Sequence, residues 1–85
     1  MGNPLGYKGV LTSRDDVNNL SDGIYNIVNA NSPSNVAAEN AILIQFTHKE
    51  RTDCYQLLFE ANKWNVQARM FNTYWSSWKV LFEFK

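Results

Sequence analysis

Chemistry in this chain has few residues to draw on. His48 is the only imidazole and Cys54 the only thiol among 85 residues. A side-chain nucleophile needs a base held beside it and oriented. His48 stands among Lys49, Glu50 and Arg51, which reads as a solvated hairpin tip. Cys54 opens a strand next to Tyr55, a place where a free thiol serves packing. Glycoside cleavage takes two carboxylates flanking one bond. Here Asp15 and Asp16 are adjacent and suit a helix start, Glu50 and Asp53 share a loop, and Glu60 and Glu83 fall on strands. No glycine-rich loop leads into a helix, so the phosphate-cradling motifs are missing. One Cys and one His cannot supply the four N or S ligands of a structural zinc site. The expectation is a non-enzyme with no catalytic residue, metal or cofactor.

The aromatic residues say more. Tyr74-Trp75-Ser76-Ser77-Trp78 places three rings in five residues. Trp78 fits the apolar face of a last strand and reads as framework. Tyr74 and Trp75 fall at a turn, where exposed rings can stack on a sugar or a partner. Arg69 alternates to the face opposite Val66 and Met70. It is either a solvated side chain or a donor across a subunit interface. With Asn72 in the same turn, Tyr74, Trp75, Asn72 and Arg69 form the candidate ligand-binding set.

The elements that must position them follow from periodicity. The length predicts one domain, with a core too thin to do without a staple. Disulfide and zinc are unavailable by composition, which leaves aromatic packing or a partner subunit. Residues 1–12, with Gly2, Gly6, Gly9 and Pro4, read as an extended lead-in with little core of its own; residues 13–85 read as the domain. Ser13 or Asp15 can cap a helical turn over Val17 to Leu20, with Asp16 in its first turn and a left-handed Gly23 closing it. Period-two alternation then predicts strands at Ile24–Val28 and Ala41–Thr47, where Ile42, Ile44 and Phe46 share a face. Asn29 to Asn40 is a loop, with room for a helical turn at Ala37-Ala38-Glu39. Tyr55, Leu57 and Phe59 alternate with Gln56, Leu58 and Glu60. Ala61-Asn62-Lys63 makes a hairpin loop. Trp64, Val66, Ala68 and Met70 line one face of the next strand. Trp78, Val80, Phe82 and Phe84 line one face of the last, with Lys79, Glu83 and Lys85 opposite. The fold class is mainly β: a small antiparallel meander of about five strands with one short N-terminal helical turn.

Eight basic residues balance eight acidic ones without a basic cluster, which argues against nucleic acid. No apolar run approaches a membrane span, so no membrane insertion is expected. The start carries no apolar signal-peptide core, and Gly6 replaces the Ser or Thr of a myristoylation motif. Synthesis in a reducing cytoplasm is expected.

Asp16-Val17-Asn18-Asn19-Leu20-Ser21-Asp22-Gly23-Ile24-Tyr25 resembles the opening of the knob domain of phage tail fibres and R-type pyocin fibres. Val17 stands where that family has Leu, and Asp22 where Pro is common. Asn31-Ser32-Pro33-Ser34 resembles its central loop, Tyr55-Gln56-Leu57 its aromatic-x-Gln strand, and Val66-Gln67-Ala68-Arg69 its strand ending in Arg. Trp75-Ser76-Ser77-Trp78-Lys79-Val80-Leu81 resembles its closing Trp-Ser-x-Trp-x-x-Leu. The family's glycines before the long strand and before the Trp pair are missing here. The resemblance spans residues 8–81. It implies a knob-like domain with Asp16, Leu20, Gly23, Tyr25, Pro33, Gln56, Trp75 and Trp78 as its structural motif.

It also implies a homotrimer on a virion or tailocin tail fibre, made in the bacterial host cytoplasm. The partners would be other tail or fibre proteins and a bacterial surface glycan. The alternative is a small structural virion protein, or spacer, docking on a tail, baseplate or capsid component. Met1 shortly before the motif region and an end at Lys85 fit a short independent gene. A depolymerase fragment is the third reading.

Overall fold

The computed structural model describes residues 6–28, 33, 36 and 39–84. The Ala37-Ala38 turn, all of the Asn31–Ser34 motif except Pro33, and Lys85 lie outside them.

The chain is mainly β. Six strands form one sheet in sequence order: β1 (Tyr7–Leu11), β2 (Gly23–Ile27), β3 (Ala41–Thr47), β4 (Cys54–Glu60), β5 (Asn65–Phe71) and β6 (Lys79–Glu83). β2 to β6 pair antiparallel, as the short loops require. β1 pairs parallel to β2, so the sheet is mixed and has six strands rather than five. The segment 12–22 is long enough to bring the chain back across the sheet, which a hairpin turn is not. The lead-in therefore does more than enter: Leu11 is buried in the core.

The helical turn is a single 3-10 turn, Val17–Asn19, capped by Asp16 rather than by Ser13 or Asp15. The Asp16 carboxylate accepts from Asn18 N at 2.9 Å. Asp15 closes the turn before it, accepting from Thr12 N at 2.6 Å. Gly23 does not close the helical turn; it begins β2 at φ 157°. A Cβ there would lie 3.0 Å from the Gly6 carbonyl oxygen, on the neighbouring edge of the sheet.

Alternation assigns residues to faces but does not say which face is covered. Ile42, Ile44 and Phe46 do share one, and the register sets Ile44 beside Leu57 and Phe46 beside Tyr55. That face is open. The loops lie over the other, which carries Tyr25, Ile27, Ala41, Leu43 and Leu58 and forms the core with Leu11, Val17 and Val36. Leu20 and Trp78 pack against this cluster.

Two strand assignments shift. Trp64 sits in the β4–β5 turn at φ 56°, so β5 starts at Asn65. On β6, Val80 pairs with Gln67 but Phe82 pairs with Val66, leaving Leu81 as an extra residue. This bulge inverts the alternation. Trp78 packs on the covered side, while Phe82 and Phe84 do not share its face; Phe84 lines a groove with Ile42 and Phe59 on the open side.

Gly23→Ala is expected to lower unfolding free energy by about 1–3 kcal/mol through backbone strain. Urea denaturation followed by tryptophan fluorescence measures it.

Candidate functional site

One rung of the sheet carries an unusual load. Gly23, Gln45, Gln56 and Arg69 lie side by side across β2, β3, β4 and β5 on the covered face. Gln45 and Gln56 are both buried. A buried amide must find partners or cost the desolvation of each lost bond.

The partners form a directed chain. Arg69 Nε donates to Gln56 Oε1 at 2.8 Å. Gln56 Nε2 donates to Gln45 Oε1 at 2.8 Å and to the Val17 carbonyl at 2.6 Å. Gln45 Nε2 donates to the Leu20 carbonyl at 2.6 Å. Arg69 Nη2 donates to Asn18 Oδ1 at 2.9 Å. Thus the 3-10 turn and the residue after it are held to the sheet by three side chains. Nearby, Asp22 accepts from Thr47 N at 3.1 Å and Thr47 Oγ1 at 2.8 Å. Tyr25 Oη donates to the Ser21 carbonyl at 2.6 Å.

Arg69 is also stacked. Its guanidinium carbon lies 4.0 Å from the Trp75 ring centre and 4.8 Å from that of Trp78. Trp75 in turn meets Phe71 at 5.5 Å. A weakly hydrated, planar cation suits such a sandwich. Burial lowers the Arg69 pKa, and the neighbouring charges of Cys54 and Asp16 oppose that shift. Burial also pushes the Cys54 thiol up, against a hydrogen bond with Thr47 that lowers it.

The motif residues Asp16, Leu20, Gly23, Tyr25, Gln56, Trp75 and Trp78, together with Arg69, therefore meet in one region. Pro33 is buried with its carbonyl accepting from Val36 N at 3.4 Å. The candidate ligand set, however, divides. Arg69 and Trp75 are turned to the covered face and engaged with each other. Tyr74 is 77% exposed. Tyr74 and Asn72, with Met70, Thr73 and Ser76, line a hollow of about 290 Å³. Asn72 Nδ2 braces it by donating to buried Asp53 at 3.1 Å, and Ser76 Oγ accepts from Met70 N at 3.1 Å.

Other polar groups are occupied with structure. His48 Nδ1 accepts from the Glu50 and Arg51 amides at 3.2 Å each, so the imidazole organises the β3–β4 loop. Asp53 pairs with Arg51 at 3.1 Å, and buried Glu60 accepts from Gln67. Among the described residues, no group of three or more His, Cys, Asp or Glu side chains is placed to hold a metal. The buried glutamine amides are bonded into the fold, while the Trp78 indole Nε1 is buried without a hydrogen-bond partner among the described residues.

Gln45, Asn18 and Thr47 were not apparent as participants. A glutamine inside an apolar strand was the available sign, since a polar residue there has to be bonded. A second apolar hollow, about 570 Å³, also went unforeseen. Ile42, Phe59, Trp64 and Phe84 line it.

Comparison with family models, with curated proteins and with solved structures gives no match.

Two outcomes follow from this geometry. Arg69→Lys leaves Gln56 Oε1 without its planar donor and is expected to cost about 1–3 kcal/mol in chemical denaturation. Cys54, with its pKa raised, holds less thiolate at pH 8.5 than a free cysteine. Its alkylation by iodoacetamide is expected to be slower there, and to keep rising with pH beyond the point where a free thiol levels off.

Proposed function

We propose that this chain is a non-catalytic binding module of a phage or tailocin tail fibre, which presents Tyr74 and its hollow to a bacterial surface glycan. One observation carries the reading. Residues scattered from Asp16 to Trp78, which resemble the knob motif one by one, come together in a single bonded and stacked unit. Their convergence gives the motif a physical reason for its order and spacing. It also assigns Arg69, Trp75 and Trp78 to framework and leaves Tyr74 as the ring available for a sugar.

In this reading the module is made in the host cytoplasm, assembles with copies of itself as a trimer, and is carried on the virion among other tail or fibre proteins. A second reading, a structural virion protein or spacer, is favoured by the open apolar face of the sheet, which suits docking better than sugar recognition.

Surface polysaccharides and lipopolysaccharides arrayed on a solid support test the first reading with the intact assembly. Wild type is expected to bind a subset. Tyr74→Ala is expected to weaken that binding at least tenfold, roughly 1.4 kcal/mol, with unchanged circular dichroism. Absence of binding by the wild-type assembly to arrays and to whole cells would sink the glycan reading in favour of the structural one. Release of new reducing ends from a capsule polysaccharide would overturn the non-catalytic assignment.

A further inference from the structure

We infer that the β3–β4 loop is an acid-released latch on the Tyr74 hollow, with the His48 imidazole as its trigger. What the hollow binds rests on the module reading; the latch itself can be read without any glycan.

Two kinds of bond hold the loop. Backbone bonds close its base: His48 N donates to the Asp53 carbonyl at 2.7 Å, and Thr52 N to the His48 carbonyl at 2.8 Å. Neither involves the ring. The tip is held by the ring alone, since the Glu50 and Arg51 amides both donate to His48 Nδ1 at 3.2 Å. Thr52 then turns the chain toward β4 at φ 67°, a conformation that costs a non-glycine residue energy. The imidazole therefore fixes where the Arg51 side chain starts.

From Arg51 the contacts run to the hollow. Arg51 Nη2 lies 3.1 Å from Asp53 Oδ2. Asp53 is buried, and its Oδ1 accepts from Asn72 Nδ2 at 3.1 Å. Asn72 lines the hollow with Tyr74. One buried carboxylate thus joins the loop tip to the hollow wall.

Only a neutral imidazole has a lone pair to offer two amides; the imidazolium is a donor at both nitrogens. An imidazole gains that second proton between about pH 8 and pH 5. The His48 ring is exposed, so the proton comes straight from solvent. Once Nδ1 is protonated, the Glu50 and Arg51 amides can no longer donate to it. The tip opens, while the base stays closed by its backbone bonds.

The charges around the ring act in both directions. Glu50 and Asp53 in the loop, and Asp22, which accepts from Thr47 beside it, stabilise the charged ring. Lys49 and Arg51 are repelled by it, and Arg51 is the side chain that reaches Asp53. The Cys54 thiol, opposite Thr47 on β4, keeps its proton over this range because burial raises its pKa. Arg69 is held between Trp75 and Trp78. When Arg51 leaves, Asp53 loses the cation at Oδ2. The two oxygens share one charge, so the change is felt at Oδ1 and at the Asn72 amide. The hollow is set at neutral pH and loosened in acid.

NMR of the isotope-labelled full chain tests this, titrated from about pH 8 to pH 5, on wild type and His48→Asn. His48 is the only histidine, so one ring signal reports it. Asparagine keeps a side-chain acceptor for the amides that follow it in a turn but does not titrate. In wild type, the Glu50 and Arg51 amides and the Asn72 side-chain NH2 are expected to shift with the ring's midpoint. In His48→Asn the Asn72 signals are expected to stay in place. Asn72 signals that ignore the ring in wild type, or that titrate equally in His48→Asn, would overturn the latch. If His48→Asn loses its fold, the wild-type titration decides: a shared midpoint supports the latch, and separate midpoints overturn it. A glycan bound at pH 8 is expected to bind roughly threefold or more weakly at pH 5 in wild type but not in His48→Asn. Equal weakening in both overturns control of the site by His48. Absence of all glycan binding overturns the module reading, and the titration still decides the latch.

Discussion

Two buried glutamine amides govern this molecule. Gln45 and Gln56 face the side of the sheet that becomes the core, where water cannot satisfy them. Each must therefore recruit backbone, and the backbone at hand is the segment between β1 and β2. The carbonyls of Val17 and Leu20 accept from the two amides at 2.6 Å each. That requirement draws the segment across the sheet. Once there, Val17 lands in the core, fully buried. The same path returns the chain to β2 from the far side, which is why β1 pairs parallel while every later strand pairs antiparallel. An apolar pair in place of Gln45 and Gln56 would bury as much surface, but it would not specify where Val17 and Leu20 go.

Arg69 completes the rung, and its charge is handled by geometry. Its Nε donates to Gln56 and its Nη2 to Asn18, both neutral acceptors, while Asp16 supplies a negative charge nearby. The indoles of Trp75 and Trp78 lie against the guanidinium. This explains why two tryptophans stand so near a solitary arginine in space though six to nine positions away in sequence. The closing segment is thereby tied to β5 before β6 begins. A binding role for Arg69 would require breaking these contacts.

The strands were legible in the residues, and their faces were not. Alternation in Ala41–Thr47 and in Cys54–Glu60 gives both elements and their hairpin. Yet Ile42, Ile44 and Phe46 are the larger apolar set, and the protein covers the other, which includes Gln45. Hydrophobicity alone points to the wrong side; the need to bond the glutamines points to the right one. The β6 bulge was hidden for a different reason. Leu81 is apolar like its neighbours, so an inserted residue leaves no mark in the pattern. Trp64 at φ 56° was hidden as well, because a ring that favours strands occupies a position usual for glycine or asparagine. At the candidate site, the turn position of Tyr74 and Trp75 does not separate them, and only the structure shows Tyr74 exposed and Trp75 against Arg69; Arg69 likewise admits either role until its partners are known.

The register also orders the surfaces along the strands. The Phe82 rung and the groove beside Phe84 stand at one end of the open face. Met70, which borders the Tyr74 hollow, stands at the other. Between them runs the Ile44–Leu57 rung. At the first end Phe82 and Phe84 are more than half exposed, against Phe46 at 38% toward the other. Burial is most favourable where most apolar area leaves water. The buried rung fixes the covered face with polar bonds and leaves the apolar residues of the open one partly exposed.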